Sequence, residues 1–499
     1  MAAAGGAADG ADVLARWDLS QDIGGVSVVD AGPHGCHGRT HNRPTRGVTG
    51  PHWTSGSPGF ADAAREYDAI HFHDDDVADA GWRESLALTV PDDLPSGVYA
   101  MRLRCDGGED HLPFVVRPAA GRPTARIAFL MPTLTYLAYS NESLDTTGSL
   151  AIAPLQDMGL QPERYAYMTA NALKSTYDSH GDGSGVCMAN LRRPILDFRP
   201  KARTRTFDAP HGFPADLCLV DWLEAKGFSF DVITDHDLHA DGIDLLRPYR
   251  AVLTGAHPEY WTGAMLDSLD GYLNGGGRLM YLGGNGFYWV TAVDPDDPGQ
   301  AEIRRFAGTR TWQAEPGEFQ ISLTGEMGGL WRDRGRAPQK TVGVGFSGQG
   351  FDRGVPYVRR PDSRDPRAAF VFEGIEGDVF GAGPSLVLNH GAGGFEVDRA
   401  NRLLGTPAHA LLLASTQRLS DAYQVCIEEQ LASLPDTGGS VNGYIGSDIV
   451  LLGYPNGGAV FSVGSISWLY TLSANGYGGD TSRITENVLR RFASDAAPL

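Results

Sequence analysis

The segment Tyr249–Trp289, YRAVLTGAHPEYWTGAMLDSLDGYLNGGGRLMYLGGNGFYW, constrains the fold more than any other part of the chain. Tyr249–Ala256 is a short, partly β-branched apolar run that reads as a buried strand. Trp261–Leu273 follows with Met265, Leu266, Leu269 and Leu273 at helical spacing. Gly275, Gly276 and Gly277 stop that helix, and Arg278–Leu282 reads as the next buried strand. Strand, helix and strand in this order form a crossover unit, so the two strands should run parallel in one sheet. The expected fold class is therefore α/β, a mostly parallel sheet flanked by helices. The residues after each strand carry the chemistry: His257, Pro258, Glu259 and Tyr260 after the first, Asn285 after the second. Ligands of open parallel sheets sit beyond the carboxyl ends of the strands. The working site is expected at these two ends.

At 499 residues the chain exceeds one simple core. Residues 1–12 read as a disordered tail, with neither the basic nor the apolar stretch of a signal peptide. Residues 13–118 are rich in Gly, His and Asp, and Ser85–Val90, Gly97–Arg104 and His111–Arg117 read as short strands between turn signals. A small β-sandwich-like domain is expected there. Arg117–Pro123 is the clearest linker. Residues 119–499 then form the α/β catalytic domain. It has strands at Arg126–Met131, Phe228–Thr234, Ala408–Ser415 and Ala459–Val463, and helices at Asp216–Lys226 and Asp480–Phe492. A long irregular stretch, 143–215, interrupts it, and loops of that length are usually functional. A β-rich elaboration is expected around 291–400, with short strands at Phe319–Leu323, Ala368–Phe372 and Ser385–Leu388.

Forty-one basic against 61 acidic residues give a net charge of −20, which argues against nucleic acid or an anionic membrane surface as partner. No apolar run reaches the roughly 20 residues of a membrane helix. The five cysteines, Cys36, Cys105, Cys187, Cys218 and Cys426, are scattered without a CxxC pair, as expected of a cytoplasmic protein.

HPEYW, LGGNGFYW, STYDSHGDGSGV (175–186), AIHFHDDDVADAGW (69–82) and GGAVFSVGSISW (457–468) together resemble the large subunit of the N,N-dimethylformamidase family. The likeness runs from about Trp17 to the C-terminal helix. It implies an iron-dependent hydrolase of small amides, a glutamine-amidotransferase-like α/β layer, a homo-oligomer and an accompanying small subunit. It also implies a metal held by Tyr136 of TYLAYSN, Tyr177 of STYD and Glu259 of HPE. His257 and Glu396 (in GGFEVD) would be the acid–base pair, and Asn285 would polarise the substrate. Against the family pattern, the chain is expected to lack an extra β-rich domain.

Two phenolates and a carboxylate offer three charges on hard oxygens. They suit mononuclear Fe(III) better than zinc, the fallback, which prefers nitrogen and sulfur. Such an ion would polarise the carbonyl and activate water. His257 lies two residues from Glu259 and would take the water's proton, oriented by Glu396. Phe287, Trp289 and Trp261 would wall a pocket for a small amide.

Two other segments carry metal-type residues. HGCHGRTH supplies His34, Cys36, His37 and His41, but not in paired ligand spacing, so a Gly/His-rich turn is expected. In HFHDDD, strand alternation would put His71 and His73 on one side and Phe72 on the other, in a structural role between domains. His180 and Asp182 would orient the ligands from behind. One rival function is a non-catalytic carbohydrate-binding protein. Another is a cysteine-nucleophile amidotransferase-like enzyme, although no cysteine lies on a strand-to-helix elbow.

Overall fold

The computed structural model describes residues 13–142, 162–204, 208–306, 317–426, 428 and 437–499. The tail expected at 1–12 and part of the loop 143–215 lie outside the described residues, as do 307–316 within the elaboration. One nine-stranded sheet organises the rest. Numbered in chain order, its strands are β1 (Ile127–Met131), β2 (Asp231–Thr234), β3 (Ala251–Thr254), β4 (Arg278–Tyr281), β5 (Tyr357–Arg359), β6 (Val379–Phe380), β7 (Leu411–Thr416), β8 (Asp448–Gly453) and β9 (Ala459–Ser462). They lie in the order β2-β1-β3-β4-β9-β8-β7-β5-β6.

The crossover unit is as its periodicity predicts. β3 and β4 pair directly and in parallel. The helix between them spans Gly263–Asn274, and the Thr262 hydroxyl caps it by accepting from Met265 N. Met265, Leu266, Leu269 and Leu273 are all buried. The expectation of a mostly parallel sheet needs correction. β2, β1, β3, β4 and β9 are parallel to one another, but every pairing from β9 outward through β6 is antiparallel. The physical reason lies between β8 and β9. Only the turn at Tyr454–Gly458 separates them, far too short for a crossover helix, so the chain can only double back.

Alternation along the inner strands splits the core into two layers. Ile127, Phe129 and Met131 of β1 join one layer with Trp222, Leu253 and Phe461. Ala128 and Leu130 join the other with Val252, Trp261 and Leu279. Both faces are covered, as a parallel sheet requires.

Residues 13–118 form no two-sheet sandwich among the described residues. They hold a three-stranded sheet (Trp17–Asp18, Ser27–Asp30, Gly38–Arg39), a ladder of Thr45–Val48 with Ala69–His71, and a hairpin of Gly97–Cys105 with Gly108–Val116. Ser85–Val90 is unpaired and exposed. The hairpin is used to cover the edge of the main sheet: the Ser96 hydroxyl, just before it, accepts from Val232 N of β2 at 2.8 Å. In the elaboration, Ala368–Phe372 lies in a 3₁₀ helix, Pro366–Phe372, because Asp365 caps it by accepting from Arg367 N. Phe319–Leu323 and Ser385–Leu388 are turns rather than strands. No helix among the described residues is long and apolar enough to cross a membrane.

Two features position the site. β1 is followed by β2 on one side and by β3 on the other, so the crevice beyond the ends of β1 and β3 is a topological switch point. The loops after β3 and β4 are also pressed together: a Cβ on Gly283 would lie 2.1 Å from the Ala256 carbonyl oxygen. Gly283→Ala is therefore expected to force the two loops apart and to destabilise the fold by at least about 1–3 kcal/mol. Thermal unfolding measures this, and an unchanged midpoint would contradict it.

Candidate active site

The cluster is assembled at that switch point. Beyond β1, the helix Thr133–Ala138 presents Thr135, whose hydroxyl accepts from Glu259 N at 3.0 Å and so ties the loop after β3 to the end of β1. Tyr139 caps the same helix, and its ring packs on Tyr177 (centroids 4.3 Å apart), His211 (5.0 Å) and His257 (5.6 Å). Its hydroxyl is an electrostatic neighbour of both Glu259 and Tyr177. The Tyr177 hydroxyl donates to Glu259 Oε2 at 3.1 Å and accepts from the Tyr260 hydroxyl at 2.7 Å. Glu259 further accepts from Trp289 Nε1 at 2.9 Å and from Asn285 Nδ2 at 3.2 Å. His257 Nε2 lies 3.3 Å from Glu259 Oε2 and 3.1 Å from Glu396 Oε2.

Glu396 and Asp398 come from the strand Gly393–Arg399, which pairs with Gly345–Val355 outside the main sheet. Two residues apart on a strand, they share a face. Glu396 accepts from Asn285 Nδ2 at 2.8 Å, and Asp398 accepts from Asn285 N at 2.7 Å and from the Tyr281 hydroxyl at 2.7 Å. Asn285, Phe287 and Phe395 all hold positive φ angles, 47°, 57° and 69°. Backbone strain of this kind clusters where a site is held in shape by its surroundings.

Burial dominates the electrostatics. It raises the phenols of Tyr139, Tyr177 and Tyr260 well above their ordinary range, so they keep their protons unless a cation meets them. The Arg305 guanidinium partly offsets this for Tyr177: it stacks 3.8 Å from that ring and donates to the Tyr260 hydroxyl at 3.0 Å. Burial also lifts Glu259 to about 7, against the pull of His257. For His257 burial acts downward, but the Glu396 and Glu259 carboxylates overcome it and push the imidazole up to about 9. Glu396 goes the other way: burial opposes its charge, yet His257 and Asn285 hold it below the usual carboxylate range. Among the described residues three buried atoms of the cluster, His257 Nδ1, His257 Nε2 and Asn285 Oδ1, make no hydrogen bond, the contacts of Nε2 with Glu259 and Glu396 being ion-pair contacts. Such orphans are uncommon in a finished interior. A cavity of about 30 Å³ reaches the cluster through Tyr139 and His211 and is walled by Phe198 and Phe213.

Residues 45–480 match the family model described as "N,N-dimethylformamidase beta subunit-like, C-terminal". The chain belongs to this N,N-dimethylformamidase β-subunit-like family. It is 42% identical over 495 residues to the N,N-dimethylformamidase beta subunit of Paracoccus aminophilus. To the subunit of the same name from an Alcaligenes species it is 41% identical over 490 residues. Each alignment takes in 97% of this chain but only 65% and 64% of those subunits, so the chain spans less than two thirds of their length.

Of the residues to which the dimethylformamidase resemblance pointed, Tyr177, His257, Glu259, Asn285 and Glu396 come together. Tyr136 does not. Its hydroxyl donates to Asp216, a buried carboxyl that burial lifts to about 6 and that also accepts from Ala256 N at 2.6 Å. Tyr139, three residues later, faces the cluster in its place. The motif TYLAYSN holds both tyrosines, and spacing alone gives no means of choosing between them. His211, Arg305 and Asp398 were also missed, and Tyr260, placed at the strand end by the sequence, was given no role of its own. Of the missed residues only Asp398, the last residue of GGFEVD, carried a local signal. His180 and Asp182 bond to the N-terminal segment rather than to Glu259. In the HGCHGRTH segment, His37 Nδ1 accepts from Asp30 N at 3.0 Å, and no metal-type grouping among the described residues includes it. Burial pushes the Cys187 and Cys218 thiols up to about 12, which suits neither to a nucleophile's role.

Proposed function

We propose that this chain carries the catalytic centre of a metal-dependent amidohydrolase that cleaves the C–N bond of a small N-substituted formamide, dimethylformamide being the model substrate. The observation that carries this reading is the meeting of two phenols and a carboxylate beside a buried histidine–glutamate pair, at the switch point of a chain from this family. Its relatives are named as dimethylformamidase subunits.

Tyr139, Tyr177 and Glu259 would hold the metal. Their three oxygens are hard and, once ionised, carry three negative charges, which fits Fe(III) better than zinc. Bound there, the ion supplies Lewis-acid polarisation of the amide carbonyl and acidifies water. The remaining residues position groups and move protons. Trp289 and Asn285 hold the Glu259 carboxylate, while Tyr260 and Arg305 hold the Tyr177 phenol. As the site stands the Glu396 and Glu259 carboxylates favour the charged imidazole; with a cation bound to offset them, His257 would take the proton of the attacking water, beside Glu396 Oε2, and pass it to the departing amine nitrogen. The Asn285 amide N–H group is committed to Glu396 and Glu259, so it positions those carboxylates rather than the substrate carbonyl. Phe198, Phe213 and His211 narrow the approach, favouring a substrate of a few heavy atoms.

We further infer an assembly containing a second kind of chain as well as copies of this one, since the relatives are named β subunits. A cytoplasmic setting fits cysteines that form no disulfide. The likeness of the parallel half of the sheet to a glutamine-amidotransferase layer belongs to the same proposal.

A pair of variants tests the metal assignment. Tyr139→Phe is expected to lose most of the iron, together with the visible phenolate-to-iron band and dimethylformamide turnover. Tyr136→Phe should keep iron and colour. It should instead lower the unfolding midpoint, because Asp216 is left buried without its phenol. Iron content and absorption spectra decide the matter, and the opposite pattern would restore Tyr136 as the donor.

A further inference from the structure

A second group of ligand-type side chains lies away from this cluster. His71 and His73 sit at the end of the short strand Ala69–His71, and Phe72 between them points outward, 64% exposed. The loop that follows Tyr177 comes up to meet them. Asp182 Oδ2 stands 2.7 Å from His71 Nε2 and 3.9 Å from His73 Nε2, and the three atoms lie within 4.8 Å of one another. They line a cavity of about 300 Å³ together with Thr45, Ser184, Arg304 and Glu318.

We propose that His71 Nε2, His73 Nε2 and Asp182 Oδ2 form a binding site for a divalent transition-metal ion of the zinc type, distinct from the catalytic cluster. Two imidazole nitrogens and one carboxylate oxygen are donors such ions take, and the cavity gives access for the ion and room for water as a further ligand. Two of the three donors are also oriented from behind. Asp76 Oδ2 lies 3.2 Å from His73 Nδ1, which aims Nε2 at the cavity, the carboxylate–histidine–metal arrangement. Ser184 N and Oγ donate to Asp182 Oδ1 at 2.9 and 2.6 Å, leaving Oδ2 for the ion. The Ser184 hydroxyl has one proton and gives it to Asp182. Across its 3.0 Å contact with His73 Nε2 it must therefore accept, and on binding of an ion that hydroxyl has to turn away from the nitrogen. The nearby cations are already engaged, Arg304 with Glu302 at 2.7 Å and Lys174 with Asp75 at 3.8 Å.

Ring geometry selects this set over its neighbour. His73 also stacks on His180, centroids 3.6 Å apart and planes 5° from parallel. Imidazole lone pairs lie in the ring plane, so two parallel, offset planes share no point where one ion could sit. The planes of His71 and His73 are inclined at 43° and intersect. An ion at their intersection would fasten the N-terminal segment to the loop bearing Tyr177.

Titration of the chelator-treated full-length protein with Co(II), the spectroscopic stand-in for zinc, tests the site. The wild type is expected to bind an ion whose d–d bands report nitrogen and oxygen ligands. Glu259→Gln, which alters the other cluster, should keep this ion. His71→Ala and Asp182→Asn should each weaken it by about 100-fold or more, and Asp76→Ala by about 10–100-fold. His180→Ala should leave it bound. If either ligand variant folds poorly, the zinc-induced rise in unfolding midpoint is compared instead, and it should be present in Glu259→Gln and absent from His71→Gln. Equal Co(II) affinity in His71→Ala and wild type, loss of the ion in Glu259→Gln, or loss in His180→Ala would each overturn the assignment.

Discussion

Glu259→Gln is expected to strip the chain of iron and, with it, of amide hydrolysis. The Glu259 carboxylate accepts from the Tyr177 phenol, Asn285 Nδ2 and Trp289 Nε1, and lies 3.3 Å from His257 Nε2. A glutamine keeps the shape but removes one negative charge from the donor set. It also turns an NH₂ group toward neighbours that are themselves donors, so at least one buried donor loses its acceptor. Iron per chain and the phenolate-to-iron absorption band are the readouts, with circular dichroism confirming a folded protein. A variant retaining full iron and colour would remove Glu259 from the ligand set.

The second large effect separates the proton carrier from the metal donors. His257→Ala should keep its iron and colour yet turn over dimethylformamide about 10²–10⁴-fold more slowly, the usual contribution of a positioned general base. Glu396, 3.1 Å from the imidazole, should matter through it, so Glu396→Gln should show a similar loss with iron retained. On the proposed roles the two groups act as one unit, so the double variant should be little slower than either single one. Loss of iron from His257→Ala would make the histidine a ligand. Losses that multiply would show that the pair does not work together.

How much of this was legible in the sequence follows from the range of the interactions. The β3–helix–β4 unit is local: apolar spacing, a threonine cap and a glycine stop specify it, and all three are in place. The strand-end rule then located His257, Glu259 and Asn285 correctly in space. The antiparallel half of the sheet was missed because the apolar run Ile449–Leu452 went unread as a strand, and with it the hairpin into β9. Tyr136 and Tyr139 could not be told apart, because what separates them is Asp216, 80 residues further on, brought against Tyr136 by the helix Phe213–Ala225. Arg305 carries no motif, and the motif GGFEVD that holds Asp398 gives no sign of what that carboxylate reaches. Both residues matter only through the groups they reach once the chain has folded.

The strand that brings Glu396 and Asp398 has a consequence for the order in which the molecule becomes competent. Tyr139, Tyr177 and Glu259 precede the strand Gly393–Arg399 in the chain, and chains fold from the N-terminal side as they are synthesised. The donors proposed for iron therefore leave the ribosome before the carboxylate that partners His257 exists. The sheet that holds those donors is itself finished only later, because β7, β8 and β9 follow Gly393 in the chain and β9 pairs with β4. A polypeptide cut short before Gly393 would lack Glu396 together with a third of the strands of the main sheet, so the donors and the proton carrier become competent together.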